Sequence, residues 1–414
     1  MKTFCTLRNM LQRNLEFNPE KTALIEGTRS YTFARMVERC NRMANALLGF
    51  GLQKGERVAI LSKNSIENAE AYFSIPGAGL VLVMLNFRLA PKEMLDILLD
   101  SEPSVIMVNQ EYLGHYEKIK ASLPFVRQVI FIGDPANTPA GWHHYEELMA
   151  EASPARPAVS LFEDDLAALL YTSGTTGAAK GCMATHRNFY HVGRSLTLEL
   201  KMDENDVGII ASPLFHATGE VTLMNHIYSG TTSIIMPMWD VAAFLGLVEK
   251  YKVTTGMLAT PMVLFLAEFP AAEKYDFSSL AKIYFAGAPV TPVVFQKAIS
   301  IYGNVFIHLF GTSETVGQAT ILRTADVARA LAAGRSDILA SCGRSFADME
   351  SMVVDEHDKP VAPGVVGELK VRGLGNTLGY WRKEAATNAV FRDGWYYPLD
   401  LCTVDSEGFI YVVD

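Results

Sequence analysis

Short, almost uninterrupted apolar runs recur along this chain with helical stretches between them, and that alternation restricts the fold more than any other feature. ERVAILS (56–62), SVIMVN (104–109) and VRQVIFIG (126–133) read as buried strands, and SIENAEAYFSIPGAGL (65–80) as a helix opening on a serine cap. Further along, VGIIAS (207–212), TSIIMP (232–237), VTTGMLATP (253–261), AKIYFAGAPV (281–290) and NVFIHLFGTSET (304–315) continue the pattern, with VAAFLGLVEKYK (241–252) as an amphipathic helix. Strands that are apolar on both faces and alternate with helices predict parallel sheets covered by helices. Residues 134–160, loop-rich and carrying four prolines (DPANTPAGW, EASPARPAVS), read as a linker. From about residue 341 the grammar changes to short antiparallel strands joined by Gly, Pro and Asp turns, as in ESMVVDEHDKPVAPGVVGELKVRG (350–373) and LCTVDSEGFIYVVD (401–414). A chain of 414 residues exceeds one ordinary core, so two or three packed units are expected.

The stretch YTSGTTGAAKG (171–181) follows an apolar strand and gathers glycines, hydroxyls and one lysine. Glycines let successive backbone N–H groups converge on an anion, hydroxyls add donors and the lysine supplies a charge, so the loop by itself reads either as a flexible surface turn or as a phosphate cradle. It is not a Walker A loop, because Lys180 lies between Ala179 and Gly181 instead of ending a Gly-Lys-Ser/Thr run. A net charge of −9 argues against a nucleic-acid-binding surface. Five scattered cysteines without a CxxC pair predict neither a disulfide framework nor a zinc site. The N-terminus lacks an apolar core, and IPGAGLVLVML (75–85) is too short to span a bilayer, so a cytoplasmic protein is expected.

SPLFHATG (212–219), FAGAPV (285–290), LFGTSET (309–315), GELKVRG (367–373) and DGWYYPLD (393–400) follow the loop in order. This ordered set, from about residue 31 to 414, resembles the adenylate-forming superfamily of acyl- and aryl-CoA synthetases, firefly-type luciferases and nonribosomal adenylation domains. The resemblance implies an α/β fold: two αβα-type subdomains with largely parallel sheets (about 1–160 and 161–340) and a small distorted β-barrel (341–414). It implies an AMP-forming carboxylic acid:CoA ligase, which converts a carboxylate and ATP to an acyl-adenylate and passes the acyl group to CoA. Thr172, Ser173, Gly174, Thr175, Thr176, Gly177 and Lys180 match the family's phosphate loop, with Ala179 where the family usually has proline. Glu314 matches the magnesium carboxylate; Mg²⁺ prefers oxygen ligands shared between a carboxylate and substrate phosphates. Ser313 would hydrogen-bond the α-phosphate, and Phe310, Gly311 and Thr312 would lie against the nucleotide, Phe310 standing where tyrosine is common. Gly287, Ala288 and Pro289 match the backbone beside adenine. Asp400 matches the aspartate that accepts from the ribose hydroxyls, although the usual Thr-Gly-Asp reads Pro398-Leu399-Asp400 here. His216 matches the aromatic-histidine gate between nucleotide and acid.

Acid-pocket positions by the same match are His216, Thr218, Gly219, Phe285, Ala286, Gly287, Gly311 and Thr312, which favour an uncharged acyl or cyclic tail of moderate size, with the carboxylate of Glu220 adjoining them. Amino-acid-activating members place an aspartate near His216, and its absence here argues against an α-amino acid. Loading of a carrier-protein thiol and a non-catalytic nucleotide-binding homologue are the alternatives, and a homodimer is open to either. The family continues past the position of Asp414 into a small C-terminal domain carrying a lysine for the α-phosphate. The resemblance therefore implies a form without that domain, which binds nucleotide but is largely inactive in adenylation.

Overall fold

The computed structural model describes residues 3–172 and 179–413. It forms two units, described separately. The first comprises Met1–Tyr190 with Pro213–His216 and Thr377–Arg382; the second comprises His191–Ser212, Ala217–Asn376 and Lys383–Asp414.

Alternation of apolar runs and helices in the first unit produces a seven-stranded sheet. Its order is His143–His144, Gln128–Ile132, Val105–Asn109, Arg57–Leu61, Val81–Met84, Leu166–Thr172 and Lys180–Thr185. All neighbours are parallel except the last pair, an antiparallel hairpin. The helix Ile66–Gly77 begins at Ser65, whose side chain accepts from the backbone N–H of Asn68, and it is buried along its whole length. Two glutamates survive there because each meets an arginine: Glu67 pairs with Arg29, and Glu70 with the buried Arg39.

The linker expected over 134–160 is more ordered than its composition suggests. It holds the edge strand His143–His144 and the helix Tyr145–Glu151, whose Tyr145 and Met149 are buried. Prolines mark both flanks, but apolar burial decides the middle. Arg8 fastens the far flank, donating to the carbonyls of Pro157 (3.1 Å) and Val159 (2.9 Å).

The second unit carries strands in the order Arg344–Ser345, Thr320–Leu322, Phe306–Phe310, Lys282–Ala286, Thr255–Ala259, Val207–Ile210 and Thr232–Ile235. Thr320–Leu322 is antiparallel to both of its neighbours, and the strands from Phe306–Phe310 to Thr232–Ile235 are parallel. A six-stranded antiparallel sheet follows, ordered Phe391–Arg392, Trp395–Tyr396, Gly367–Gly373, Leu401–Val404 and Ile410–Val412, with Met349–Val354 also along Gly367–Gly373. Its path does not return on itself among the described residues, so this sheet is open where the resemblance implies a small distorted barrel. End strands of two and three residues offer too few backbone groups to close a ring. No helix among the described residues is long and apolar enough to cross a membrane.

Candidate active site

Strands Lys282–Ala286 and Phe306–Phe310 run side by side in parallel, with Phe285 opposite His308. Their carboxyl ends are the position at which open parallel sheets bind ligands. From the first emerge Gly287, Ala288 and Pro289, all exposed, with Gly287 at φ 99°. The Thr260 hydroxyl fastens this segment by donating to the carbonyls of Ala286 (3.2 Å) and Ala288 (2.7 Å). Phe285 itself is fully buried, stacked on His308 at 4.7 Å and edge-on to Phe295, so its ring belongs to the core and not to a pocket wall.

From the second strand emerge Gly311 and Thr312, followed by a single 3₁₀ turn, Ser313–Thr315. The Thr312 carbonyl accepts from the backbone N–H of Thr315 (3.1 Å) and Gly317 (2.8 Å), folding the loop tightly back. A Cβ on Gly311 would lie 2.3 Å from the carbonyl carbon of Gly317, so the loop closes only over glycine. Phe310, Gly311, Thr312 and Ser313 are half-buried, and Glu314 is buried.

Asp400 belongs to the same unit. Burial raises its pKa above the ordinary carboxylate value, and the neighbouring charge of Glu314 raises it further. Two carboxylates, one from each sheet of this unit, thus repel across a partly desolvated space. That arrangement suits a divalent cation at Glu314 and a diol donating to Asp400. A raised folded-state pKa makes Asp400 a cost to the unliganded fold at neutral pH and no cost below the ordinary value of about 4. Asp400→Asn is therefore expected to raise the melting temperature at pH 7, with the gain disappearing as the pH falls below about 4. A gain independent of pH would contradict this.

Leu399 precedes Asp400 at φ 73° and is 65% exposed. The family's glycine at this position has a physical reason: a side chain in the left-handed region costs about 1–2 kcal/mol. Glycine loses about 0.5–1 kcal/mol more chain entropy on folding, so Leu399→Gly is expected to stabilise by up to about 1 kcal/mol. Denaturant unfolding reads this directly; a destabilised variant would show that contacts of the leucine outweigh its backbone strain.

In the first unit, Thr172 and Lys180 face each other as the last pair of the antiparallel hairpin. Lys180 is therefore the first residue of a strand rather than part of the loop, fixed in direction by the ladder. Ser173, Gly174, Thr175, Thr176 and Gly177 lie outside the described residues. His216 also belongs to this unit. The Asn64 side-chain carbonyl accepts from Leu214 N–H (2.8 Å), Tyr72 donates to the Leu214 carbonyl (2.6 Å), and Phe215 packs edge-on against Phe87. His216 keeps an exposed edge, while desolvation of the rest of its ring and the charge of Arg88 lower its pKa. It is thus a neutral imidazole at pH 7. Thr218 and Gly219 are buried in the helix Ala217–Ser229 of the second unit.

Residues 11–381 match the model of the AMP-binding enzyme family. The chain belongs to that family. It is 30% identical to 4-hydroxybutyrate--CoA ligase 2 of Metallosphaera sedula over 98% of its own length and 75% of the relative's. It is 33% identical to feruloyl-CoA synthase of an Amycolatopsis species over 97% of its length and 77% of the relative's. Its fold superposes on an anthranilate CoA ligase, AuaEII, in complex with anthranoyl-AMP, with a TM-score of 0.92 and 25% identity over 98% of this chain and 77% of that one. This family member is an AMP-forming acid–thiol ligase that uses ATP.

Sequence reasoning passed over three residues that frame the site. Arg88 acts on His216, Asp100 accepts from the Tyr171 hydroxyl at 2.6 Å beside the phosphate-loop hairpin, and Tyr380 faces Lys180. Only the aromatic run Tyr380-Trp381 could have flagged the last, since nothing in its spacing points to a partner 200 residues away.

Proposed function

We propose that this ligase activates an uncharged carboxylic acid of moderate size and transfers it to CoA. The observation that carries the proposal is the pair of mutually repelling carboxylates, Glu314 and Asp400, beside the ends of two parallel strands. In this reading the adenine ring lies against Gly287–Pro289 and Phe310, where small residues let the backbone approach closely. Asp400 accepts from the ribose hydroxyls, Ser313 donates to the α-phosphate, and Lys180 with the loop after Thr172 takes the outer phosphates. Glu314 would hold Mg²⁺, which when bound offsets repulsion between triphosphate and carboxylate. His216, neutral at pH 7, gives the acid an uncharged aromatic wall. No aspartate accompanies it on 213–219 to pair with an α-ammonium, and the adjoining Glu220 is buried within the helix Ala217–Ser229, which favours acids without an α-amino group. The names of both relatives, ligases for a hydroxyalkanoate and an aryl-propenoate, support the same class.

The test, on a form that carries the family's C-terminal domain, is acid-dependent ATP–pyrophosphate exchange across a panel of aliphatic, aromatic and amino acids, followed by transfer to CoA or to a carrier-protein thiol. Exchange with neutral-tailed acids and none with amino acids is expected. Exchange confined to amino acids would overturn the acid class, and transfer to a carrier alone would overturn the acceptor.

A further inference from the structure

The segment Thr377–Arg382 lies some 200 residues beyond the phosphate loop in sequence, yet it pairs with the strand leaving that loop. Met183 N–H donates to the Gly379 carbonyl (2.8 Å), Leu378 N–H to Met183 (3.0 Å) and Trp381 N–H to Gly181 (2.8 Å), while Cys182 and Tyr380 form an antiparallel bridge. The segment is itself anchored. Trp381 Nε1 donates to the Asp100 carbonyl (3.2 Å), and Arg382 pairs with Glu102 (2.7 Å). Asp100 also accepts from Tyr171 on the strand entering the loop, so one helix end braces both sides of its mouth. Within this frame the buried ring of Tyr380 lies under the Lys180 ammonium, 5.1 Å from Nζ to the ring centroid.

We propose that Tyr380 is a positioning residue for Lys180, its ring face holding the ammonium in one direction before ATP arrives. The inference rests on the reading of Lys180 as a ligand of the outer phosphates. A lysine side chain is long and rotatable, and confining it beforehand reduces the ordering that phosphate binding would otherwise require. The quadrupole of the ring supplies the attraction, and the ladder from 378 to 381 fixes the ring. Because the lysine serves the outer phosphates, Tyr380 discriminates ATP from AMP, although it touches neither.

The test is calorimetric titration of the full chain with ATP·Mg²⁺ and, separately, with AMP. Tyr380→Leu is expected to weaken ATP binding about three- to tenfold, in keeping with a half-buried cation–π contact, and to leave AMP binding unchanged. In a Lys180→Ala background the same substitution is expected to do nothing further. Tyr380→Phe and its progressively fluorinated analogues keep the shape of the site while draining the ring face of negative potential. ATP affinity should fall along that series and AMP affinity should stay level, which keeps the proposal testable if the leucine variant fails to fold. Equal weakening of ATP and AMP would assign Tyr380 a purely structural role and overturn the proposal, as would a Tyr380→Leu effect that persists without the lysine, or a flat fluorination series. Unchanged ATP binding in Lys180→Ala alone would instead remove the phosphate role of the lysine, and the proposal with it.

Discussion

In a form that carries the family's C-terminal domain, Glu314→Ala is expected to lower acid-dependent ATP–pyrophosphate exchange by at least about a hundredfold, the size of effect that removal of one group stabilising developing charge produces. Glu314 is buried in a 3₁₀ turn whose backbone is fixed by the close approach of Gly311 to Gly317, so the turn that carries it is formed before any ligand arrives. Without it, the triphosphate and the attacking carboxylate meet with their repulsion uncompensated. Two accompanying results separate this from unfolding. The Mg²⁺-dependent part of ATP affinity should be lost, while the melting temperature should hold, because removing one of two repelling carboxylates relieves Asp400. Exchange that stayed within about tenfold of wild type, or about 1.4 kcal/mol of barrier, would show that Glu314 has no such role.

Arg39→Ala is expected to have the largest effect on stability, a loss of about 3–5 kcal/mol, as when one partner of a buried ion pair is removed. Arg39 is 2% exposed, and its guanidinium reaches Glu70 and both oxygens of Glu146 (2.7 Å each), with Tyr145 donating to Glu70 at 2.9 Å. Burial already raises the Glu70 pKa to about 7 against the lowering influence of Arg39. Without the arginine it rises further, so Glu70 is ionised at a cost in basic solution and neutral in acid. The electrostatic part of the deficit therefore shrinks as the pH falls below about 7, a direction denaturant unfolding at pH 8 and pH 5.5 would read. A loss under about 1 kcal/mol at pH 8 would mean that water or neighbouring groups replace the arginine at little cost.

The two variants mark where sequence was sufficient and where it was not. Glu314 could be found from a short ordered motif, because a 3₁₀ turn at the end of a strand is set by adjacent residues and by the glycine that lets it close. The Arg39–Glu70–Glu146 cluster could not, since its members stand 31 and 107 residues apart and look like ordinary surface charges until helix packing buries Arg39 and Glu70. The same division separates Lys180, which a local motif proposes as a phosphate ligand, from Tyr380, which only strand pairing brings to it.

By itself the sequence determined the parallel α/β architecture, because strands apolar on both faces can be covered only by helices, and it determined the order of the nucleotide-side motifs. It also named Leu399 as a departure from the family's glycine; the structure supplied the cost, a left-handed backbone at φ 73°. The tertiary structure alone decided that residues 143–151 are a strand and helix and not a linker, that the last sheet stays open, and that Phe285 belongs to the core. Each of these turns on what packs against a segment. Local sequence carries propensity and turn chemistry, but burial and long-range pairing are properties of neighbours brought together only by the fold.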